Sequence, residues 1–126
     1  MGKKTGSVAA WFEIPAADFE RAVAFYEKSF ATKLVRAAFG PAQMAVFPHD
    51  PEVPSGCVMK GEGYTPARDG CVVYLQVPGD LNATLERAHA QGGRVHTPKT
   101  ALPPGMGYFA HFVDSEGNRV GLHSME

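Results

Sequence analysis

Residues 11–18 read Trp11-Phe12-Glu13-Ile14-Pro15-Ala16-Ala17-Asp18, and residues 74–80 repeat the order as Tyr74-Leu75-Gln76-Val77-Pro78-Gly79-Asp80, one residue shorter. In both copies an aromatic and an apolar residue precede Glu or Gln, then a β-branched residue, a proline, a small residue and an aspartate. After each aspartate the period of the apolar residues changes. Phe19, Ala22, Val23, Tyr26 and Phe30 follow a helical spacing, and Leu81, Leu85 and Ala88 repeat a shorter version of it. Each copy is therefore read as a strand stopped by proline that feeds a helix capped by Asp18 or Asp80. Two such units predict an internally duplicated fold.

Working outward, residues 8–15 form the first predicted strand, with Ala9, Trp11 and Glu13 on one face and Ala10, Phe12 and Ile14 on the other. A helix over 19–30 is followed by candidate strands at 33–39, 43–47 and 55–60, separated by Gly40-Pro41 and the breaker run Pro48-His49-Asp50-Pro51. Residues 61–70 have no apolar period and read as a linker. The second copy gives a strand over 71–77, a helix over 81–91 stopped at Gly92-Gly93, and a short strand over 94–98. An irregular stretch over 99–107 is either a lid or a rigid connection, and strands over 108–113 and 119–123 flank the turn Asp114-Ser115-Glu116-Gly117-Asn118. Both halves thus read strand, helix, three strands. The expected division is a disordered leader at 1–7 and a single domain at 8–124, with module one at 8–60 and module two at 71–124.

At 126 residues, 44% hydrophobic and 20% charged with a net charge of −1, the composition is that of a globular chain sharing one core between its halves. No basic stripe argues for nucleic acid, and no apolar run approaches the ~18 residues that span a bilayer. The first residues lack a secretory core, and two cysteines, Cys57 and Cys71, make neither a disulfide framework nor a zinc cluster. A cytoplasmic location is expected, with both thiols reduced and read as small buried hydrophobes.

The helix sequence Asp18-Phe19-Glu20-Arg21-Ala22-Val23-Ala24-Phe25-Tyr26, the turn at 114–118 and the duplication resemble the vicinal oxygen chelate superfamily. That group includes glyoxalase I, the bleomycin and fosfomycin resistance proteins and extradiol dioxygenases. The resemblance runs from about Val8 to Ser124 and implies an α+β fold in which two βαβββ modules form an eight-stranded, curled mixed sheet around a central cavity. It also implies a divalent metal held by His, Glu or Gln, acting as a Lewis acid on vicinal substrate oxygens. Carried onto this chain, the ligand positions fall at Ala9 or Trp11, at Val72 or Tyr74, at Gly121, and near Cys57. None is a usual ligand for a hard cation, so no cofactor is expected unless a divalent metal uses a non-standard site built from Glu13, His123 and His111.

The remaining candidates are Trp11, Glu13, Tyr74, Gln76, His111 and His123 as ligand-binding residues, with Glu13 as the candidate catalytic base. Trp11 and Tyr74 are either ligand contacts or core aromatics. Glu13 is either a general base or a hydrated strand-end carboxylate, set to face Gln76 across the cavity. His111 and His123 are either acid–base groups or structural histidines, and His49, His89 and His96 read as surface residues. Two functions stay open. One is a metal-independent protein that binds a partly apolar or aromatic small molecule, and the other is a glyoxalase-like lyase or isomerase. A homodimer is expected, with the cup serving solely as a dimerisation module as a third possibility.

Overall fold

An aspartate ahead of an amphipathic period starts both helices in the computed structural model, which describes residues 8–126. The expected leader at 1–7 lies outside the described residues. Asp18 keeps an extended backbone and its carboxylate accepts from the Arg21 amide, so α1 runs Phe19–Phe30. Asp80 likewise accepts from the Asn82 amide and opens α2, Leu81–Ala90. Ala31 closes α1 in the left-handed region (φ 52°), and its amide reaches back to the Glu27 carbonyl.

Module one contributes β1 (Trp11–Pro15), β2 (Val35–Phe39), β3 (Ala42–Val46) and β4 (Ser55–Lys60), and module two contributes β5 (Tyr74–Gln76), β6 (Arg94–Ala101), β7 (Tyr108–Val113) and β8 (Arg119–Ser124). They form two four-stranded mixed sheets of identical order, β1-β4-β3-β2 and β5-β8-β7-β6. In each, the first strand lies parallel to the last and the other pairs are antiparallel. The sheets are not closed on one another.

Alternation decides which face is buried. Ile14, Ala45 and Val58 from the first sheet and Leu75, Ala110, Phe112 and Leu122 from the second meet Phe25, Tyr26, Leu81 and Leu85 of the helices in one shared core. Burying each large apolar side chain in such a core contributes about 1.5–3 kcal/mol. Helix α1 joins the halves, because Phe25 packs on Phe112 of β7 at 5.9 Å and Tyr26 on Phe47, just after β3, at 5.7 Å. The opposite face of β1 and β5 keeps Trp11, Glu13, Tyr74 and Gln76 out of the core.

Three expectations change. Strand β5 starts at Tyr74 instead of Cys71, and Cys71 is exposed where a buried hydrophobe was expected. Strand β6 continues through Pro98 to Ala101. It is the outer strand of its sheet, and its register with β7 shifts between Thr97 and Thr100, so the missing proline N–H is passed over. The irregular stretch shrinks accordingly to residues 102–107, closed by a bond from the Leu102 amide to the Gly107 carbonyl at 2.9 Å.

Candidate functional site

Pro15 ends β1 and Pro78 follows β5 by two residues, and these two strands, each at the edge of its own sheet, face each other across a seam between the modules. Two grooves open along it. The larger, about 700 Å³, is lined by Trp11, Phe12 and Phe30 on one side, Tyr74, Leu75 and Gln76 on the other, and Phe47, His49 and Ser55 at its end. The smaller, about 200 Å³, lies at the opposite end of the seam between Glu13, Ile14 and Pro15 and the Val73, Asn118 and Arg119 side. The repeat explains the placement: residues alternating outward on β1 and β5 reach the seam from both modules.

In the larger groove the aromatic wall is partly fixed. Trp11 is 42% exposed and meets the His49 ring edge-on at 6.5 Å. The His49 ring in turn is held by the Asp50 and Val53 carbonyls of its own turn, at 2.8 and 2.9 Å from Nδ1. Tyr74 is 49% exposed, yet its hydroxyl is spoken for: it lies 2.6 Å from Nε2 of His111 on β7. The ring crosses β8 to get there. A Cβ on Gly121 would stand 2.4 Å from it, so glycine at this position is what lets the tyrosine lie flat across the strand.

Around His111 the chemistry is unusual for a strand residue. Burial, then the nearby Arg119 and His96, hold its pKa below the ordinary 6.5, so the imidazole is neutral at pH 7. Its Nδ1 is buried without a partner, as is Nε of Arg119. His96 and Phe109 pack on the same ring at 5.9 and 5.6 Å.

Glu13 is exposed and lines the smaller groove, whereas Gln76 lines the larger, so the two do not share a cavity. Tyr64 reaches Glu13 from the linker. Its hydrogen bond to that carboxylate, with burial and the carboxylate's charge, raises the phenol above its usual pKa. Cys57, beneath them on β4, is driven to about 11 by burial and by Glu13, in spite of a hydrogen bond with Trp11. His123 donates from Nε2 to the Met106 carbonyl at 2.7 Å, tying down the 102–107 segment. Trp11, Tyr74 and Gln76 are thus brought into one groove, His111 lies behind Tyr74, and Glu13 and His123 stand apart. The sequence reading did not single out Phe12, Phe47, Tyr64 or Arg119. Of these, Arg119 had a signal, since two-residue alternation puts it on the face of Gly121 and His123.

The residues present do not fit the divalent metal that the resemblance implies. The Tyr74 ring covers Gly121, where the last-strand ligand would stand, and Cys57 is a thiol at neutral pH. Among the described residues, no three His, Cys, Asp or Glu side chains gather to hold an ion.

Two βαβββ modules with this strand order and seam define a protein of the glyoxalase type. The chain belongs to the Glyoxalase/Bleomycin resistance protein/Dioxygenase superfamily, whose family model matches residues 8–122. A glyoxylase-like domain-containing protein of Didymella fabae is 38% identical over 111 residues, covering 84% of each chain. Among solved structures, a glyoxalase I variant from Zea mays superposes with a TM-score of 0.69 at 20% identity over 92% of this chain, which spans about half (45%) of the maize protein. The fosfomycin resistance protein FosX of Listeria monocytogenes gives 0.67 at 18% identity, over 95% of this chain and 91% of its own. TnmS3, an antibiotic-binding protein from Streptomyces sp. CB03234, gives 0.63 at 22%, over 97% and 98%. No helix among the described residues is long and apolar enough to cross a membrane.

Proposed function

We propose that this chain is a small-molecule-binding member of its superfamily, which holds a partly apolar or aromatic ligand in the larger seam groove and does so without the usual metal. The observation that carries the reading is the wall of that groove: Trp11, Phe12, Phe47 and Tyr74 around about 700 Å³, a size and lining suited to a drug-sized molecule. TnmS3, which is described as antibiotic-binding, shares the fold and is consistent with such a role. The two cysteines are unpaired, which suits the reducing cytoplasm. A homodimer is part of the proposal, supported by Val35 and Val95, 62% and 46% exposed on the outer strands β2 and β6.

Trp11 is the single tryptophan of the chain, so its fluorescence reports on the groove directly. Titration with a panel of planar aromatic compounds is expected to give saturable quenching or a blue shift, lost in Tyr74→Ala. Saturable binding that leaves Trp11 emission untouched, or one tightly held equivalent of zinc, nickel, manganese or iron after purification, defeats the reading.

A lyase- or isomerase-type enzyme is the second reading, favoured by the Glu13 carboxylate, which lines the smaller groove and raises the pKa of the neighbouring Tyr64 phenol. Turnover of a 2-hydroxy or 2-oxo compound that disappears in Glu13→Gln, with ligand binding kept, would establish it.

A further inference from the structure

The polar side chains of the larger groove are one-sided in charge and in hydrogen bonding. Among the described residues that line it, Asp50 is the one carboxylate and there is no lysine or arginine. The connection over 48–54 that carries Asp50 adds Glu52 and has no basic residue besides His49. Asp50 is exposed and its carboxylate forms no ion pair with a described residue. His49 adds an acceptor. Its Nδ1 faces two carbonyl oxygens, of Asp50 and Val53, which only accept; the ring proton therefore lies there, and Nε2 of the neutral ring presents a lone pair. Ser55 gives its proton to the Phe47 carbonyl at 3.2 Å, which leaves its oxygen as an acceptor too.

Around these acceptors stand aromatic rings. Trp11 and Tyr74, on opposite walls, are about half exposed, and the Trp11 ring lies against His49, the chain neighbour of Asp50. The face of such a ring attracts a cation, most strongly for tryptophan. Among the described residues the cations that sit over rings are Arg36 on Phe19 and Lys99 on Tyr108, and none of these four lines the groove.

We infer that the larger groove selects a cationic ligand, an ammonium group carried on an aromatic or apolar body. The inference rests on the reading of that groove as a small-molecule site and names the class of molecule it takes. The body fills the apolar length beside Phe12, Phe47 and Leu75, and the ammonium lies against Trp11 with Asp50 as its counter-charge. An anionic head meets the opposite arrangement, a carboxylate and two acceptors with no basic side chain to offset them. A bare divalent ion is a poorer occupant, because no three His, Cys, Asp or Glu side chains gather among the described residues.

Equilibrium dialysis of the intact chain with three probes built on one aromatic body tests the charge. They are naphthylmethyl-trimethylammonium, its uncharged isostere with carbon in place of nitrogen, and naphthylacetate. The ammonium is expected to bind about tenfold more tightly than the isostere, and the acetate more weakly than either. Asp50→Asn should weaken the ammonium about threefold and leave the isostere unchanged. Glu86→Gln, which removes an exposed carboxylate of α2 outside the groove, controls for net charge and should change neither. On the unmodified chain, raising the salt from about 0.01 M to about 1 M should narrow the gap between ammonium and isostere, a readout that needs no variant to fold. Equal binding of ammonium and isostere, tightest binding of the acetate, a gap that salt leaves unchanged, or equal losses in Asp50→Asn and Glu86→Gln would each overturn the inference and leave the groove as an aromatic site. Absence of binding by all three probes removes the small-molecule reading beneath it as well.

Discussion

The two ends of the β1–β5 seam are built alike in backbone and differ in side chains. At one end the turn at 114–118 ties the modules together with polar bonds, beside the smaller groove. The Asp114 carboxylate accepts from the Tyr26 hydroxyl at 2.6 Å and from Asn118 and Glu116 amides, while Asn118 donates to the Pro15 carbonyl and accepts from the Ala67 amide. Glu116, its side chain fully buried, accepts from the Ala17 and Asp18 amides and from Arg21, capping α1 from the other module. At the other end the 48–54 connection satisfies itself through His49 and leaves aromatic walls standing apart. The difference teaches that a duplicated fold needs only one end of its seam locked. The other end is then free to keep the larger groove.

The largest expected effect is at the lock. Asp114→Ala strands the buried Tyr26 hydroxyl and the Asn118 amide together, and should cost about 3–5 kcal/mol in urea unfolding. A loss below about 1 kcal/mol would mean that the closed end is no more constrained than the open one. Next comes Gly56, at the start of β4 beside the open end. A Cβ there would lie 2.4 Å from the Phe12 carbonyl oxygen as well as its ring, and backbone cannot swing aside. Gly56→Ala is expected to cost about 2–3 kcal/mol and to narrow the larger groove, read as weaker quenching of Trp11 by aromatic probes.

Glu116 sharpens the comparison through pH. Burial opposes its ionisation, but the bonds from Arg21, the Asp18 amide and Ser115 prevail and hold its pKa below the ordinary 4.5. A carboxylate depressed on folding stabilises fully above its unfolded pKa and loses that contribution as pH falls through the folded value. The stability difference between the native chain and Glu116→Gln should therefore be constant at neutral pH and shrink below about pH 4.5. Its size should be about 1–2 kcal/mol, since Arg21 is 54% exposed and solvent screens its share. Asp114 runs the other way: burial raises its pKa despite its hydrogen bonds, so its contribution is full at low pH and lost as pH rises through the folded value. A difference that grows in acid would show that Glu116 is not the cap.

What the sequence disclosed follows the range of the interactions involved. The strand-proline-aspartate-helix repeat, the caps at Asp18 and Asp80 and the alternation of Trp11 and Glu13 against Phe12 and Ile14 are local, and each is visible in a window of a few residues. The turn at 114–118 was legible as a hairpin but not as a helix cap, because Glu116 meets Asp18 from 98 residues away. Tyr64 was invisible for the same reason, an aromatic in a polar linker with its partner on β1. His49 looked like a surface residue on a breaker run, and it is exposed, but only the fold puts Trp11 against its ring. Gly121 was legible as the place of an absent ligand. That it serves as a floor for Tyr74 required the register of β5 against β8.

The smallest expected effect is at that floor. Gly121 resembles Gly56 in pattern, since each stands opposite an aromatic on the first strand of its module, Tyr74 or Phe12. The neighbours differ in kind. Around Gly121 the close atoms all belong to the Tyr74 ring, which is half exposed and free to rotate out. Gly121→Ala is therefore expected to cost less than about 1 kcal/mol in stability. It should nonetheless break the Tyr74–His111 bond, and with it the reason for the His111 proton to sit on Nδ1. The expected signature is a nearly unchanged melting temperature with a changed tautomer in nitrogen NMR of His111. If Gly121→Ala instead destabilises as much as Gly56→Ala, the Tyr74 ring is held as core and not as a groove wall, and the contrast between a locked and an open end of the seam fails at its open side.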